Sequence, residues 1–155
     1  MKSNPLVTVY VTNYNYGKYI SYAINSLLSQ TYKNIEILIF DDGSSDNSRD
    51  IIEKYQNFKN ISSFFHKNQG LIKTNNLAIS KANGKYIMRL DADDWLDNNA
   101  IEIMTNYLER NPELSLVFPD YYIVDGKGVL VNVYRRHDFN KVSLKDQPAH
   151  GACTM

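Results

Sequence analysis

The chain has 155 residues, 43% of them hydrophobic and 22% charged, the proportions of one ordinary globular domain that buries its own core. They exclude an intrinsically disordered chain, a fibre and a membrane bundle. Seventeen basic residues balance seventeen acidic ones for a formal net charge of zero, so no nucleic-acid partner is expected, and the one dense basic patch is Arg135, Arg136 and His137.

The run Leu6 to Val11 is short, β-branched and aromatic, and it stops at the polar turn Thr12 to Gly17, which predicts a buried first strand. Ile20, Ala23, Ile24, Leu27 and Leu28 then recur at steps of three and four, the period of a helix that buries one face. Ile35 to Phe40 predicts a second strand ending in Asp41 to Asp46, whose Ser and Asp side chains can accept the first amides of a helix burying Ile51, Ile52 and Tyr55. Ile61 to His66 predicts a third strand, Asn68 to Gly70 a turn, and Leu71 to Ala82 a helix stopped by Asn83 and Gly84 in a left-handed cap. Tyr86 to Leu90 predicts a fourth strand ending at Asp91, and Ala100, Ile101, Met104 and Leu108 mark another helix. Leu116 to Phe118 and Val129 to Tyr134 read as later strands, with a turn at Asp125 to Gly128.

The single cysteine, Cys153, excludes an internal disulfide and a thiolate zinc site. Met1 to Pro5 carries no signal-peptide pattern, and no run approaches the roughly 20 apolar residues of a membrane-spanning helix. A cytoplasmic chain is expected, free or peripheral at the inner face of the membrane.

Four strand-then-helix units in series predict an α/β fold with a mostly parallel sheet flanked by helices. Strand carboxyl ends then share one rim, where ligands of such sheets bind. That rim gathers Thr12 to Tyr14, Asp41 and Asp42, His66 to Asn68, and Asp91 to Asp94.

Three segments on it carry candidate chemistry. LDADDWLD, Leu90 to Asp97, puts three carboxylates in four positions after an apolar strand. Crowded carboxylates need solvation, protonation or a cation, and Mn2+ or Mg2+ would use them together with diphosphate oxygens. A water-exposed loop capping the next helix is the plain alternative. In FDDGSSD, Phe40 to Asp46, two aspartates exceed what helix capping needs, and Asp42 is suited to accept the ring N–H of uracil, thymine or guanine but not cytosine. In TNYNYGKY, Thr12 to Tyr19, Thr12 can bond a base edge and a tyrosine can stack on it. Lys73 and Arg89 are possible phosphate contacts. Neither G-x-G-x-x-G after the first strand, nor G-x-x-x-x-G-K-[ST], nor G-x-S-x-G occurs, against a dinucleotide fold, a P-loop hydrolase and an α/β-hydrolase.

These three motifs, in this order and spacing from about Pro5 to Pro119, resemble the amino-terminal half of family 2 glycosyltransferases of the Rossmann-like GT-A fold. The resemblance implies transfer of a sugar, with inversion, from a nucleotide diphosphate donor such as a UDP-sugar to a hydroxyl of a glycan, lipid-linked or other acceptor, with a divalent metal, in polysaccharide biosynthesis. Matched residue by residue, it places Thr12, Tyr14 and Asp42 at the base, Asp91 at the ribose, and Asp93 at the metal, with Asp91 and Asp94 as further metal candidates. Many relatives carry arginine where Asn75 stands, and Lys73 is the substitute. The family's general base belongs to a segment beyond Met155, and Asp120, Asp125 and Asp138 sit outside its motif. The expectation is therefore a single domain over residues 1–155, incomplete on its carboxyl-terminal side. A nucleotide-diphosphate-binding module without transfer is the alternative.

Overall fold

The computed structural model describes residues 4–134 and residue 155. Arg135, Arg136, His137, Asp138 and Cys153 lie outside the described residues. Each of the four apolar runs forms a parallel strand: β1 (Val7–Asn13), β2 (Ile35–Asp41), β3 (Ile61–Phe65) and β4 (Tyr86–Asp91). They stand in the order β3-β2-β1-β4. Such strands read as continuous apolar runs because helices cover both sides, so both sets of alternating side chains are buried. In β1, hydrogen-bonded on both edges, Val7, Thr8, Val9 and Val11 are fully buried.

The intervening helices are α1 (Ile20–Leu28), α2 (Ser48–Glu53) and α3 (Leu71–Lys81), and α4 (Ala100–Arg110) follows β4. Val9, Val11, Ile37, Ile39, Met88 and Leu90 pack on one face against α1, α2 and α4. Tyr10, Leu38 and Phe40 pack on the other against Ala78 and Leu77 of α3. The chain winds outward from β1 through β2 to β3, then returns to the far side of β1 for β4. The direction of winding therefore reverses between β1 and β4, the place where open α/β sheets form their ligand crevice.

Three details depart from the sequence-based expectation. The end of α3 is not a left-handed cap, because Gly84 does not have positive φ. Its glycine is required instead by close approach: a Cβ there would lie 2.5 Å from the Thr8 amide nitrogen. Leu116 to Phe118 forms no strand among the described residues, although Val117 exchanges two backbone hydrogen bonds of 3.0 Å with Met155. The strand β6 (Leu130–Tyr134) does form, but its antiparallel partner β5 (Tyr121–Val124) was not anticipated. The tyrosines and valines of this hairpin are largely exposed, so no burial pattern distinguished β5.

One buried amide ties the acidic loop after β4 to the helical layer. Gln30, 1% exposed, donates from Nε2 to the carbonyls of Ser26 and Asp97, and its Oε1 accepts the Ile101 amide. Thr31 N donates to the Asn98 carbonyl at 2.7 Å, adding a backbone tie beside it. Gly84→Ala should destabilise the chain by about 1–3 kcal/mol, because the new methyl meets backbone that has nowhere to move. Urea unfolding checks this; a variant as stable as the parent contradicts the close packing.

Candidate functional site

The rim is built from the ends of β1, β2 and β4, and its registers bring distant motifs together. Thr12 on β1 is the direct partner of Phe40 on β2 and of Asp91 on β4. The Asp42 amide donates to the Asn13 carbonyl at 2.8 Å, extending the β1–β2 ladder by one residue. Asp42 and Asp91 thus flank the end of β1, two strand spacings or about 10 Å apart.

The loops after β1 and β2 are stitched into one unit. Asn13 Nδ2 donates to Asp41 Oδ1 (2.8 Å) and to Ser44 Oγ (3.1 Å), and Ser44 Oγ donates to Asp41 Oδ1 (2.5 Å). Asn15 adopts φ 60°, a left-handed conformation that asparagine tolerates better than most residues. From there its Oδ1 accepts the Ser45 amide at 2.7 Å and its own amide donates to Ser44 Oγ. Asp46 accepts the amides of Gly17 (2.9 Å) and Ser48 (3.0 Å). Burial would raise its carboxyl, but the hydrogen bonds from Ser48 and Gly17 prevail and hold it below the usual range. Tyr14, half exposed, stands on this stitched loop at the mouth of the rim.

Asp42 is 5% exposed, far more buried than a capping aspartate needs to be. Its Oδ1 accepts the Gln69 amide at 2.8 Å and its Oδ2 the Gly70 amide at 3.0 Å. His66 Nδ1 lies 3.2 Å from Oδ1 and 3.1 Å from the Lys67 carbonyl. Both neighbours are acceptors, so Nδ1 carries the proton and the buried Nε2 is left without a partner among the described residues. The Asp42 carboxylate therefore pins the turn before α3, and Lys73 is exposed on the first turn of that helix. On the Asp41 side of the same strand end a cleft of about 550 Å³ opens between Gly43, Arg49, Phe65 and Lys67. Arg49 is paired with Glu53 and stacked over Phe65 there.

At the end of β4 the acidic residues divide. Arg89 grips Asp91 through Nε to Oδ1 (2.7 Å) and through its second nitrogen to Oδ2 (2.9 Å). Asp93 and Asp94 occupy the exposed turn that follows, closed by the Asp94 amide donating to the Asp91 carbonyl. Burial, together with the charges of Asp93 and Asp91, raises the Asp94 carboxyl above its usual range, and Arg89 opposes this. Tyr10, the β1 partner of Arg89, is raised by burial, with Arg89 lowering and Asp91 raising it. Two adjacent carboxylates that repel each other without a matching cation are a donor set suited to a hard divalent ion. Among the described residues no three acidic, histidine or cysteine side chains form a cage by themselves, so such an ion would complete its shell with ligand oxygens and water.

The structure brings Thr12, Tyr14, Asp42, Asp91, Asp93 and Asp94 to one rim and sets Lys73 on the helix beside it. Asn13, Asn15, Gln30 and Arg89 hold these groups, and sequence reasoning did not single them out for that role. The αL-tolerant Asn15 beside Gly17 was the one local signal; the others act across strands or between layers.

The family model for glycosyl transferase family 2 matches residues 8–154. Among curated proteins, the chain is 34% identical to the chondroitin synthase of Escherichia coli over 85% of its own length and 19% of that protein's. It is 36% identical to the glycosyltransferase GlyG of Streptococcus pneumoniae over 77% of the chain and 40% of the relative. Among solved structures, Staphylococcus aureus TarS in complex with UDP-GlcNAc superposes with TM-score 0.72 at 28% identity, over 80% of this chain and 36% of that one. The mannosyltransferase PcManGT of Pyrobaculum calidifontis, in complex with GDP-Man and Mn2+, shares the fold, with TM-score 0.69 at 20% identity over 81% and 37%. The chain spans less than half the length of each of these four. With the family model covering nearly all of it and a parallel sheet of GT-A type beneath the rim, the chain belongs to glycosyltransferase family 2.

Proposed function

We propose that this domain binds a UDP-sugar with the help of a divalent cation and transfers the sugar, with inversion, to an acceptor hydroxyl. The observation that carries the reading is the placement along one rim of a buried carboxylate at the β2 end, a partly exposed one at the β4 end, and two carboxylates in the turn beyond that are unpaired among the described residues. That sequence of groups matches a nucleoside diphosphate laid across the end of β1 from base to phosphate.

Asp42 accepts the N3–H of uracil with lone pairs its amide partners leave open, since an ionised carboxylate offers about four acceptor sites. Cytosine, with an acceptor at that position, is disfavoured. Thr12 bonds the base edge and Tyr14 stacks on its face. Asp91 accepts a ribose hydroxyl, and Lys73 faces the diphosphate as a point charge. Asp93 and Asp94 hold the cation, which when bound neutralises charge developing on the leaving diphosphate. None of the described carboxylates is assigned as the base that takes the acceptor's proton. UDP and UDP-GlcNAc in TarS complexes, and Mn2+ in a complex of the same fold, support this reading.

Calorimetry with UDP, GDP and CDP, with and without Mn2+, tests it. Mn2+-dependent binding with UDP favoured over CDP is expected; no binding of any nucleotide overturns the reading. Replacing both Asp93 and Asp94 with asparagine should weaken Mn2+-dependent UDP binding at least about tenfold, while unfolding stability changes by no more than about 0.5 kcal/mol, as for surface groups. Asp42→Asn puts an amide donor against the Gln69 or Gly70 amide and loses a charge-assisted bond. UDP affinity should fall by roughly 1.5–3 kcal/mol, whereas Mn2+-pyrophosphate, which lacks the base, should bind as before. Equal losses for both ligands would remove Asp42 from the base pocket.

A further inference from the structure

Asp42 is held from the neighbouring strand as well as from the turn before α3, and His66 is the group that holds it there. His66 directly follows β3, and its amide donates to the Asp41 carbonyl at 3.2 Å, so the β2–β3 ladder runs one residue further and sets the imidazole beside the Asp42 carboxylate. The turns after β2 and β3 close tightly on each other: Gly43 has φ 77°, and a Cβ there would lie 2.6 Å from the Asn68 amide nitrogen. His66 Nδ1 stands between two acceptors, 3.1 Å from the Lys67 carbonyl and 3.2 Å from Asp42 Oδ1. Nε2 is buried and meets no partner among the described residues, so nothing on that side of the ring competes for the proton.

We propose that His66 is a positioning residue for base recognition: its Nδ1–H, between the Lys67 carbonyl and Asp42, holds Oδ1 so that Oδ2 is the oxygen presented to the base. The proposal rests on the reading of Asp42 as the base acceptor and deepens it. An ionised carboxylate offers about four acceptor sites. The Gln69 amide and His66 occupy those of Oδ1, and the Gly70 amide occupies one of Oδ2. One site on Oδ2 remains, which suits the single N3–H of uracil. Without the imidazole proton, the Lys67 carbonyl and Asp42 Oδ1 are two acceptors with no donor between them, and one restraint on the soft terminal torsion of the carboxylate is gone.

The test is calorimetry with UDP in the presence of Mn2+ and with Mn2+-pyrophosphate, on the parent, His66→Phe, His66→Asn, Asp42→Asn, and His66→Phe combined with Asp42→Asn. His66→Phe keeps a ring but loses the donor, and it should bind UDP about five- to tenfold more weakly while Mn2+-pyrophosphate binds as before. His66→Asn puts an amide N–H in the place of Nδ1–H and should restore UDP affinity to within about threefold of the parent, a rescue that a merely disturbed turn would not show. In the Asp42→Asn background, His66→Phe should change UDP affinity by less than about twofold, because the group it acts through is gone. Histidine 15N NMR, with the His66 signal assigned by its absence from His66→Phe, should show the proton on Nδ1. Undiminished UDP affinity in His66→Phe, equal losses for UDP and Mn2+-pyrophosphate, no rescue in His66→Asn, or a bare Nδ1 overturns the proposal. The base reading is separated from it by Asp42→Asn alone: if that variant loses UDP affinity and His66→Phe does not, the base reading stands without His66. If Asp42→Asn binds UDP like the parent, both fall.

Discussion

Negative charge gathered at the ends of parallel strands is the constraint around which this molecule is organised. Asp41, Asp42, Asp46, Asp91, Asp93 and Asp94 all lie in or next to the turns that leave β2 and β4, and bringing like charges together is unfavourable unless each finds a partner. The fold supplies partners one by one. Asn13 and Ser44 bond Asp41, the amides of Gln69 and Gly70 bond Asp42, Gly17 and Ser48 bond Asp46, and Arg89 grips Asp91. Asp93 and Asp94 have no such partner among the described residues, and they stand beside the crevice where the winding of the sheet reverses.

The same compensations stiffen the loops. Asp41, Asn13, Asn15 and Ser44 form a network that spans the β1 and β2 ends, so Thr12 and Tyr14 are carried by a turn whose Asn15 and Gly17 amides are held by Ser44 and Asp46. Gln30 does the corresponding work from the helical layer: it uses its amide nitrogen and oxygen on Ser26, Asp97 and Ile101, fixing where the acidic turn rejoins α4. These groups hold the rim side chains in place, and the position of a carboxylate to within an ångström decides what it can bind.

The sequence by itself determined the layered α/β fold. The apolar runs of β1 to β4 and the three-four spacing of α1 and α4 encode burial directly, and the location of Asp42 and Asp91 to Asp94 on one rim follows from the parallel connections. It also announced the family, because three motifs recur at fixed spacing. What it left open was settled by contacts between residues far apart in the chain. The glycine at 84 serves close packing against Thr8 instead of a helix cap, and β5 has an exposed apolar run that no period marks. Above all, Asp91, Asp93 and Asp94 look equivalent as letters. The tertiary structure adds that Asp91 is paired with Arg89, because a pairing depends on which charge sits within a few ångströms, and linear spacing does not specify that distance.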